Sequence, residues 1–70
     1  MPEEVKSAAR ATEIAMSFVK KYYWFARPMR AVREDNTWSV EIDVGPLAPI
    51  VAKVKLDAKS GDILEYTTPS

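Results

Sequence analysis

The stretch KVKLDAKSGDILEY, from Lys53 to Tyr66, decides the fold. It contains two runs in which apolar and polar residues alternate, separated by a short segment rich in turn-forming residues. Alternation with a period of two is typical of a β-strand that buries one face, so this stretch predicts a β-hairpin. The rest of the chain is expected to cover the apolar face of that hairpin.

The loop of the hairpin is predicted to contain three residues, Lys59 to Gly61. Gly61 can take the positive φ that such a loop requires, because it has no Cβ. The register then pairs Val54 with Tyr66, Lys55 with Glu65 and Leu56 with Leu64. A four-residue loop is disfavoured because it would place Asp57 opposite Asp62. The three-residue loop instead points Ile63 to the polar face.

Length and composition indicate one globular domain, residues 1–70. Hydrophobic residues make up 47% of the chain and charged residues 29%, which is a folded rather than a disordered balance. Cysteine is absent, so no disulfide can stabilise this small domain. Its stability must come from packing or from association.

The charge balance argues against a nucleic-acid-binding protein. Ten basic and ten acidic residues give a net charge of zero, whereas nucleic-acid affinity depends on a basic face. No apolar run approaches the ~20 residues of a membrane span. The N-terminal sequence MPEEVKSAAR lacks the basic-then-apolar order of a signal peptide. We therefore expect a cytoplasmic protein without a membrane span.

The first third of the chain predicts one helix, from residue 3 to about residue 23. Pro2 suits the first helical position, and Glu3 and Glu4 place negative charge at the positive end of the helix dipole. No capping residue precedes such a helix, so a frayed N-terminus is expected. The face predicted to cover the sheet has helical spacing: Val5, Ala8, Ala9, Thr12, Ala15, Met16, Val19, Tyr22 and Tyr23.

Ala11, Ile14 and Phe18 widen the apolar arc of the helix to one side. They can cover a sheet edge or the loop after the helix. They can also form a contact surface for another chain, such as the second copy of a homodimer. A free sheet edge is the other candidate for a dimer contact.

Two further apolar segments are candidates for an interaction surface. The helix is expected to end within the aromatic run from Tyr22 to Phe25, before Arg27, because Pro28 disfavours helical geometry there. Trp24 or Phe25 can then pack under the end of the sheet or form an aromatic platform for a ligand. Leu47, between two prolines, is either buried in the core or exposed as a contact.

The remaining segments predict two more strands of an antiparallel meander. A first strand spans Met29 to Arg33, a turn follows at 34–37, and Trp38 to Val44 alternates most clearly. The prediction is an α+β fold, with one N-terminal helix packed on one face of a three- to four-stranded antiparallel sheet. The other face is expected to be solvated and to carry Ser39, Glu41, Asp43, Lys53, Lys55 and Glu65.

The chain lacks the residues of common catalytic sites. It has no histidine and no cysteine, which removes the usual general base, thiol nucleophile and zinc ligands. Glu41 and Asp43 are paired carboxylates on one strand face, but Lys53 and Lys55 are expected neighbours, and charge pairing is the simpler role. We therefore expect a protein that is not an enzyme and has no cofactor or metal.

Two segments resemble the PepSY domain family. The strand Trp38 to Val44 is similar to the middle strand of that family, and the hairpin from Val54 to Leu64 resembles its V-x-V-D-A-x-[ST]-G-[DE]-[IV]-L pattern, with Leu56 in place of the second valine. The alanine-rich helix also fits. The resemblance implies a small non-catalytic module that inhibits or regulates peptidases. The tryptophan-led strand and the closing strand ending in Tyr66 also resemble a small accessory protein of gas-vesicle clusters.

The functional hypotheses follow from these observations. The first is a protein-interaction or regulatory module that acts on an unknown protein partner or forms a homodimer. The second is a small-ligand or lipid-binding module with a pocket formed by the aromatic run and Met16. The third is weak nucleic-acid binding. The candidate interaction residues are Ala11, Ile14, Phe18, Trp24, Phe25 and Leu47.

Overall fold

A computed structural model describes residues 4–68 and confirms the predicted α+β fold. Its elements are α1 (Ala8–Val19), β1 (Arg27–Glu34), β2 (Thr37–Asp43), β3 (Val51–Asp57) and β4 (Ile63–Thr67). The four strands form one antiparallel sheet in the order β1-β2-β3-β4, which is the predicted meander. The helix α1 packs on one face of this sheet and contacts β1, β2 and β3.

The core lies between α1 and the apolar face of the sheet. The predicted alternation of β2 is confirmed, since Trp38, Val40 and Ile42 are buried and pair with the buried residues Leu56, Val54 and Ala52 of β3. The helix contributes Ala11, Ala15 and Val19, which recur every fourth residue and are completely buried. Alanine at two of these positions leaves room for the helix axis to approach the sheet closely.

The helix begins at Ala8, later than predicted, and ends at Val19, before the aromatic run rather than within it. Ser7 is its N-cap and accepts a hydrogen bond from the Arg10 backbone N–H at 3.1 Å, so the expectation of an uncapped helix was wrong. Glu4 precedes the helix, and the predicted roles of Pro2 and Glu3 lie outside the described residues. The buried stripe of the helix runs through Ala11, Ala15 and Val19, so the prediction that Ala8 and Ala9 cover the sheet was wrong.

Val5 ties the segment before the helix to the sheet. It is completely buried, its backbone N–H donates to the Ala58 carbonyl at 2.6 Å, and its carbonyl accepts from the Trp38 indole Nε1–H at 2.9 Å. The Ala58 N–H in turn donates to the Asn36 carbonyl at 2.7 Å, which joins the β1–β2 and β3–β4 turns. Three segments therefore meet at this end of the sheet, which we call the turn end.

The predicted register of the closing hairpin is confirmed in part. Val54 pairs with Tyr66 and Lys55 with Glu65, as predicted. The register then shifts, so Leu56 pairs with Ile63 and the predicted Leu56–Leu64 pair was wrong. This bulge lets Ile63 pack against the core and leaves Leu64 53% exposed.

The turn of this hairpin also differs from the prediction. The Asp57 backbone N–H donates to the Asp62 carbonyl, and its carbonyl accepts from Gly61, so the two aspartates do face each other. Their carboxylates bind different donors, since Asp57 accepts from the N–H groups of Lys59 and Ser60, and Asp62 accepts from the Ser60 hydroxyl. Gly61 takes a φ of 78°, as expected.

The helix of the described chain, with 12 residues, is too short and not apolar enough to cross a lipid bilayer. The described part of the protein thus contains no membrane-spanning helix.

The hydrogen bond of the Trp38 indole should contribute to the stability of the fold. Replacing Trp38 by Phe removes the donor to the buried Val5 carbonyl and should lower the free energy of unfolding by about 2 kcal/mol or more, because a buried acceptor is left unpaired and the core loses volume. Urea unfolding followed by far-ultraviolet circular dichroism measures this. The matched control is Trp24→Phe, which should change the free energy of unfolding by less than about 0.5 kcal/mol because Trp24 is 86% exposed.

Candidate interaction surface

Two irregular segments lie together at the end of the sheet opposite the turn end. Residues 20–26 connect α1 to β1, and residues 44–50 connect β2 to β3. They meet because Arg27, the first residue of β1, pairs with Asp43, the last residue of β2. The Val44 N–H donates to the Ile50 carbonyl at 2.8 Å and closes the second segment into a loop. We call this end of the molecule the loop end.

The carboxylate of Asp43 organises the loop end. Its Oδ1 accepts the backbone N–H groups of Gly45 at 3.0 Å and Ile50 at 3.1 Å, and its Oδ2 lies 3.1 Å from the Arg27 guanidinium. The residue is only 3% exposed, so the predicted solvated position of Asp43 was wrong. Its side chain does leave from the polar face of β2, but the loop at 44–50 folds over it.

The hydrogen bonds to Asp43 favour its ionised form. The backbone N–H groups of Gly45 and then Ile50 lower the pKa of the Asp43 carboxyl below its ordinary value of 3.8. Desolvation opposes this shift, and the charge and hydrogen bond of Arg27 add to the lowering. Gly45 is also needed for the close packing of the loop, since a Cβ at this position would overlap the carbonyl oxygen of Ala48.

Exposed apolar side chains are concentrated at the loop end. In the described part of the chain, six of the seven exposed large hydrophobic residues lie at or beside this end, and Leu64 is the exception. Leu47 is fully exposed, and Trp24 is 86% exposed. We define the loop-end surface as Tyr22, Trp24, Phe25, Met29, Leu47, Ile50 and Val51.

The structure brings three of the predicted site residues together at the loop end. The rings of Trp24 and Phe25 are in edge-to-face contact, with centroids 6.0 Å apart. Phe25 and Leu47 line the same shallow hollow, together with Arg27 and Asp43. Trp24 is therefore not tucked under the sheet, and Leu47 is not pinned in the core.

The other three predicted residues are not part of this surface. Ala11 is completely buried, so its predicted role in an interaction surface was wrong. Ile14 and Phe18 are half-buried and pack against the core. Phe18 makes an edge-to-face contact with Tyr66 of β4, with ring centroids 5.0 Å apart. Covering the sheet edge, one of the two roles considered for this flank, is thus what the structure shows for Phe18.

A cluster of aromatic side chains lies along this flank. Tyr22 stacks on Tyr66 at a centroid distance of 6.1 Å and contacts Phe18 at 5.4 Å. The Tyr66 hydroxyl is buried and has no hydrogen-bond partner among the described residues. Burial raises the pKa of Tyr66 to about 12, and the neighbouring Tyr23 adds to this shift.

The predicted pocket of the aromatic run is small. The hollow beside Phe25 has a volume of about 190 Å³, below the ~300 Å³ of a typical small-molecule site. Met16, the other residue expected in such a pocket, packs against the core instead. A larger hollow of about 490 Å³ lies on the open sheet face, lined mainly by polar and charged residues such as Ser39, Lys53 and Glu65.

The charges are divided between the two ends of the molecule, although they cancel over the chain. At or near the loop end lie five basic and two acidic residues: Lys20, Lys21, Arg27, Arg30, Lys53, Glu41 and Asp43. Near the turn end lie five acidic and three basic residues: Glu4, Glu34, Asp35, Asp57, Asp62, Lys6, Arg33 and Lys59. The expected pairing of Glu41 with Lys53 is present in the strand register.

The acidic residues do not form a metal centre in the part of the chain that the structure describes. No group of three or more potential ligands comes together among residues 4–68. Comparison of the chain with family models, with curated proteins and with solved structures found no significant match.

Asp43 and the division of charge are the features that sequence reasoning missed. The signal for Asp43 was local, because an aspartate two residues before a glycine and a proline is typical of a side chain that accepts hydrogen bonds from a following turn. The division of charge had no such signal, because it depends on which strand ends the topology brings together.

Asp43 should control the order of the loop. In Asp43→Ala, the amides of Gly45 and Ile50 lose their acceptor, so their hydrogen exchange should become faster by about tenfold or more. Exchange measured by NMR checks this. The Val54 amide in the centre of the sheet should be much less affected, and equal acceleration at all three amides would contradict the local role of Asp43.

The stability of the protein should also depend on Asp43 in acid. Because its pKa is lowered in the folded state, the ionised carboxyl stabilises the fold above its ordinary pKa of 3.8, and this contribution is lost as the pH falls through the folded pKa. Asp43→Asn should therefore lower the melting temperature at about pH 6, and the difference from wild type should shrink below pH 3.8. The exposed Asp35, changed to Asn, is the control and should show little difference at either pH.

The Tyr66 hydroxyl should contribute nothing to stability. Tyr66→Phe removes a buried polar group without a partner, so the free energy of unfolding at neutral pH should stay unchanged or rise. Between pH 10 and 12 the variant should become more stable than wild type, because ionisation of Tyr66 in the unfolded chain destabilises only the wild-type fold. Chemical unfolding across this pH range tests both points.

Proposed function

We propose that this chain is a small non-catalytic interaction module that docks on its partner through the loop-end surface. The observation that carries the proposal is the concentration of six of the seven exposed large hydrophobic residues of the described chain at one end. Scattered exposed apolar residues are normal on a protein surface, but a contiguous group marks an interaction site.

The loop end is also held in a defined conformation. Asp43 fixes both ends of the loop at 44–50 through its bonds to Gly45 and Ile50. Pro46 and Pro49 restrict the backbone on either side of Leu47. A surface that is already ordered loses little conformational entropy on binding, so more of the contact energy contributes to affinity.

The composition of the chain favours docking over catalysis. It contains neither histidine nor cysteine, so the commonest acid–base and nucleophilic groups are absent from the sequence. The resemblance to PepSY domains implies a regulatory module of the same kind, and peptidase regulation is one specific form of this proposal. A homodimer is another form, but its interface would use the loop-end surface or a sheet edge, because Ala11 is buried.

Site-specific photocrosslinking tests the proposal. A benzoylphenylalanine crosslinker at position 47 should give adducts in cells that naturally produce the protein, because the Leu47 side chain is fully exposed on the loop-end surface. The same group at position 64 is the matched control, since Leu64 is also an exposed leucine but lies away from the loop end. Adducts from position 47 that disappear in a Trp24→Ser background support docking there. Equal adducts from both positions, or neither a protein nor a lipid adduct from position 47, would contradict it.

A further inference from the structure

The apolar side chains of the loop-end surface project outward. Leu47 lies at the tip of the loop and is fully exposed, and Trp24 is 86% exposed. The hollow beside them is too small to hold more than a fragment of a ligand, at about 190 Å³. Side chains that project from the surface, rather than line a pocket, can insert into the apolar interior of a lipid bilayer.

The residue types are those of a membrane interface. Tryptophan and tyrosine prefer the headgroup level of a bilayer, where the ring is apolar and its polar atom stays hydrated, and leucine prefers the acyl region below. Trp24, Tyr22 and Leu47 supply this set at one end of the molecule. The segment from Val44 to Ala52 carries no charged residue that would oppose insertion.

The charges around these side chains complement an anionic surface. Lys20 and Lys21 directly follow α1, and Arg30 and Lys53 both pair with Glu41 in the strand register, which gives two cations for one carboxylate. Asp43 is covered by the loop and paired with Arg27. Each basic residue near an anionic leaflet contributes about 1 kcal/mol to binding.

The opposite end of the molecule reinforces this orientation. Acidic residues outnumber basic ones at the turn end, so an anionic surface attracts the loop end and repels the turn end. A polyanion such as nucleic acid would use the basic residues but would leave Leu47 and Ile50 in water. The combination of an apolar tip with a basic surround favours a lipid surface.

We propose that the loop-end surface docks the protein on anionic phospholipid membranes, with Leu47 and Trp24 inserted below the headgroups. This inference rests on the proposed function, since it names the partner of the same surface. The docking is peripheral, with the sheet and α1 remaining outside the bilayer.

Vesicle binding tests the proposal with Trp24 as the probe. Trp38 is buried and Trp24 exposed, so a blue shift of the fluorescence on binding reports Trp24. The protein should bind vesicles of phosphatidylcholine with phosphatidylglycerol, should bind pure phosphatidylcholine at least about tenfold more weakly, and should lose affinity as salt is raised. Lipids brominated in the acyl chain should quench the shifted fluorescence.

Matched variants distinguish insertion of the loop-end surface from nonspecific adsorption of the protein to the vesicles. Leu47→Ser and the double variant Lys20→Glu, Lys21→Glu should each weaken binding by about tenfold or more. Leu64→Ser and the double variant Lys6→Glu, Lys59→Glu make the same chemical changes away from the loop end and should weaken binding much less, because distant charges are screened by salt. Thermal unfolding checks that all four proteins are folded.

Several results would overturn the proposal. They are no binding to anionic vesicles, equal binding to neutral vesicles, equal losses in Leu47→Ser and Leu64→Ser, or stronger binding to an RNA or DNA oligonucleotide that is insensitive to Leu47→Ser. If position 47 crosslinks to a protein while vesicles are not bound, the lipid assignment fails and the proposed function stands. If it gives no adducts and vesicles are not bound, both fail.

Discussion

The carboxylate of Asp43 holds together the three segments that form the loop end. It joins the first residue of β1 to the last residue of β2 through Arg27, and it fixes both ends of the loop at 44–50 through two backbone N–H groups. A buried carboxylate is costly unless its lone pairs are satisfied, and here each oxygen has at least one donor. This arrangement keeps an apolar, proline-containing loop in one conformation while Leu47 and Ile50 stay exposed.

The two ends of the sheet have different physical roles. At the turn end, the hydrogen bonds of Val5 and Trp38 close the core and attach the chain before α1 to the sheet. At the loop end, Asp43 holds the loop at 44–50 over the end of the core through hydrogen bonds to backbone N–H groups. Leu47 and Trp24 remain in solvent there. The turn end therefore stabilises the fold, and the loop end is free to present a surface.

Much of the fold could be predicted because strand alternation is local. The period of two in β2 and β3 reports directly which residues face the helix, and the meander follows from the short connections. The errors arose where another interaction overrides the local pattern. Ser7 starts the helix because a side-chain acceptor for the free N–H groups outweighs the charge pattern of Glu3 and Glu4. A bulge turns Ile63 inward because the turn closes with Asp57, not Ala58, opposite Asp62, which places Ile63 opposite Leu56.

Only three residues of the candidate surface could be predicted. Trp24, Phe25 and Leu47 stand out in the sequence, but their proximity depends on Arg27 pairing with Asp43, which is a property of the sheet. The net charge of zero also gave no indication of this surface, since a chain with zero net charge can still place most of its uncompensated cations at one end.

Exposed apolar residues normally carry a risk of aggregation through strand pairing. Pro46 and Pro49 lack backbone donors, so the loop cannot extend a sheet, and Leu47 is exposed as a side chain without exposing a strand edge beside it.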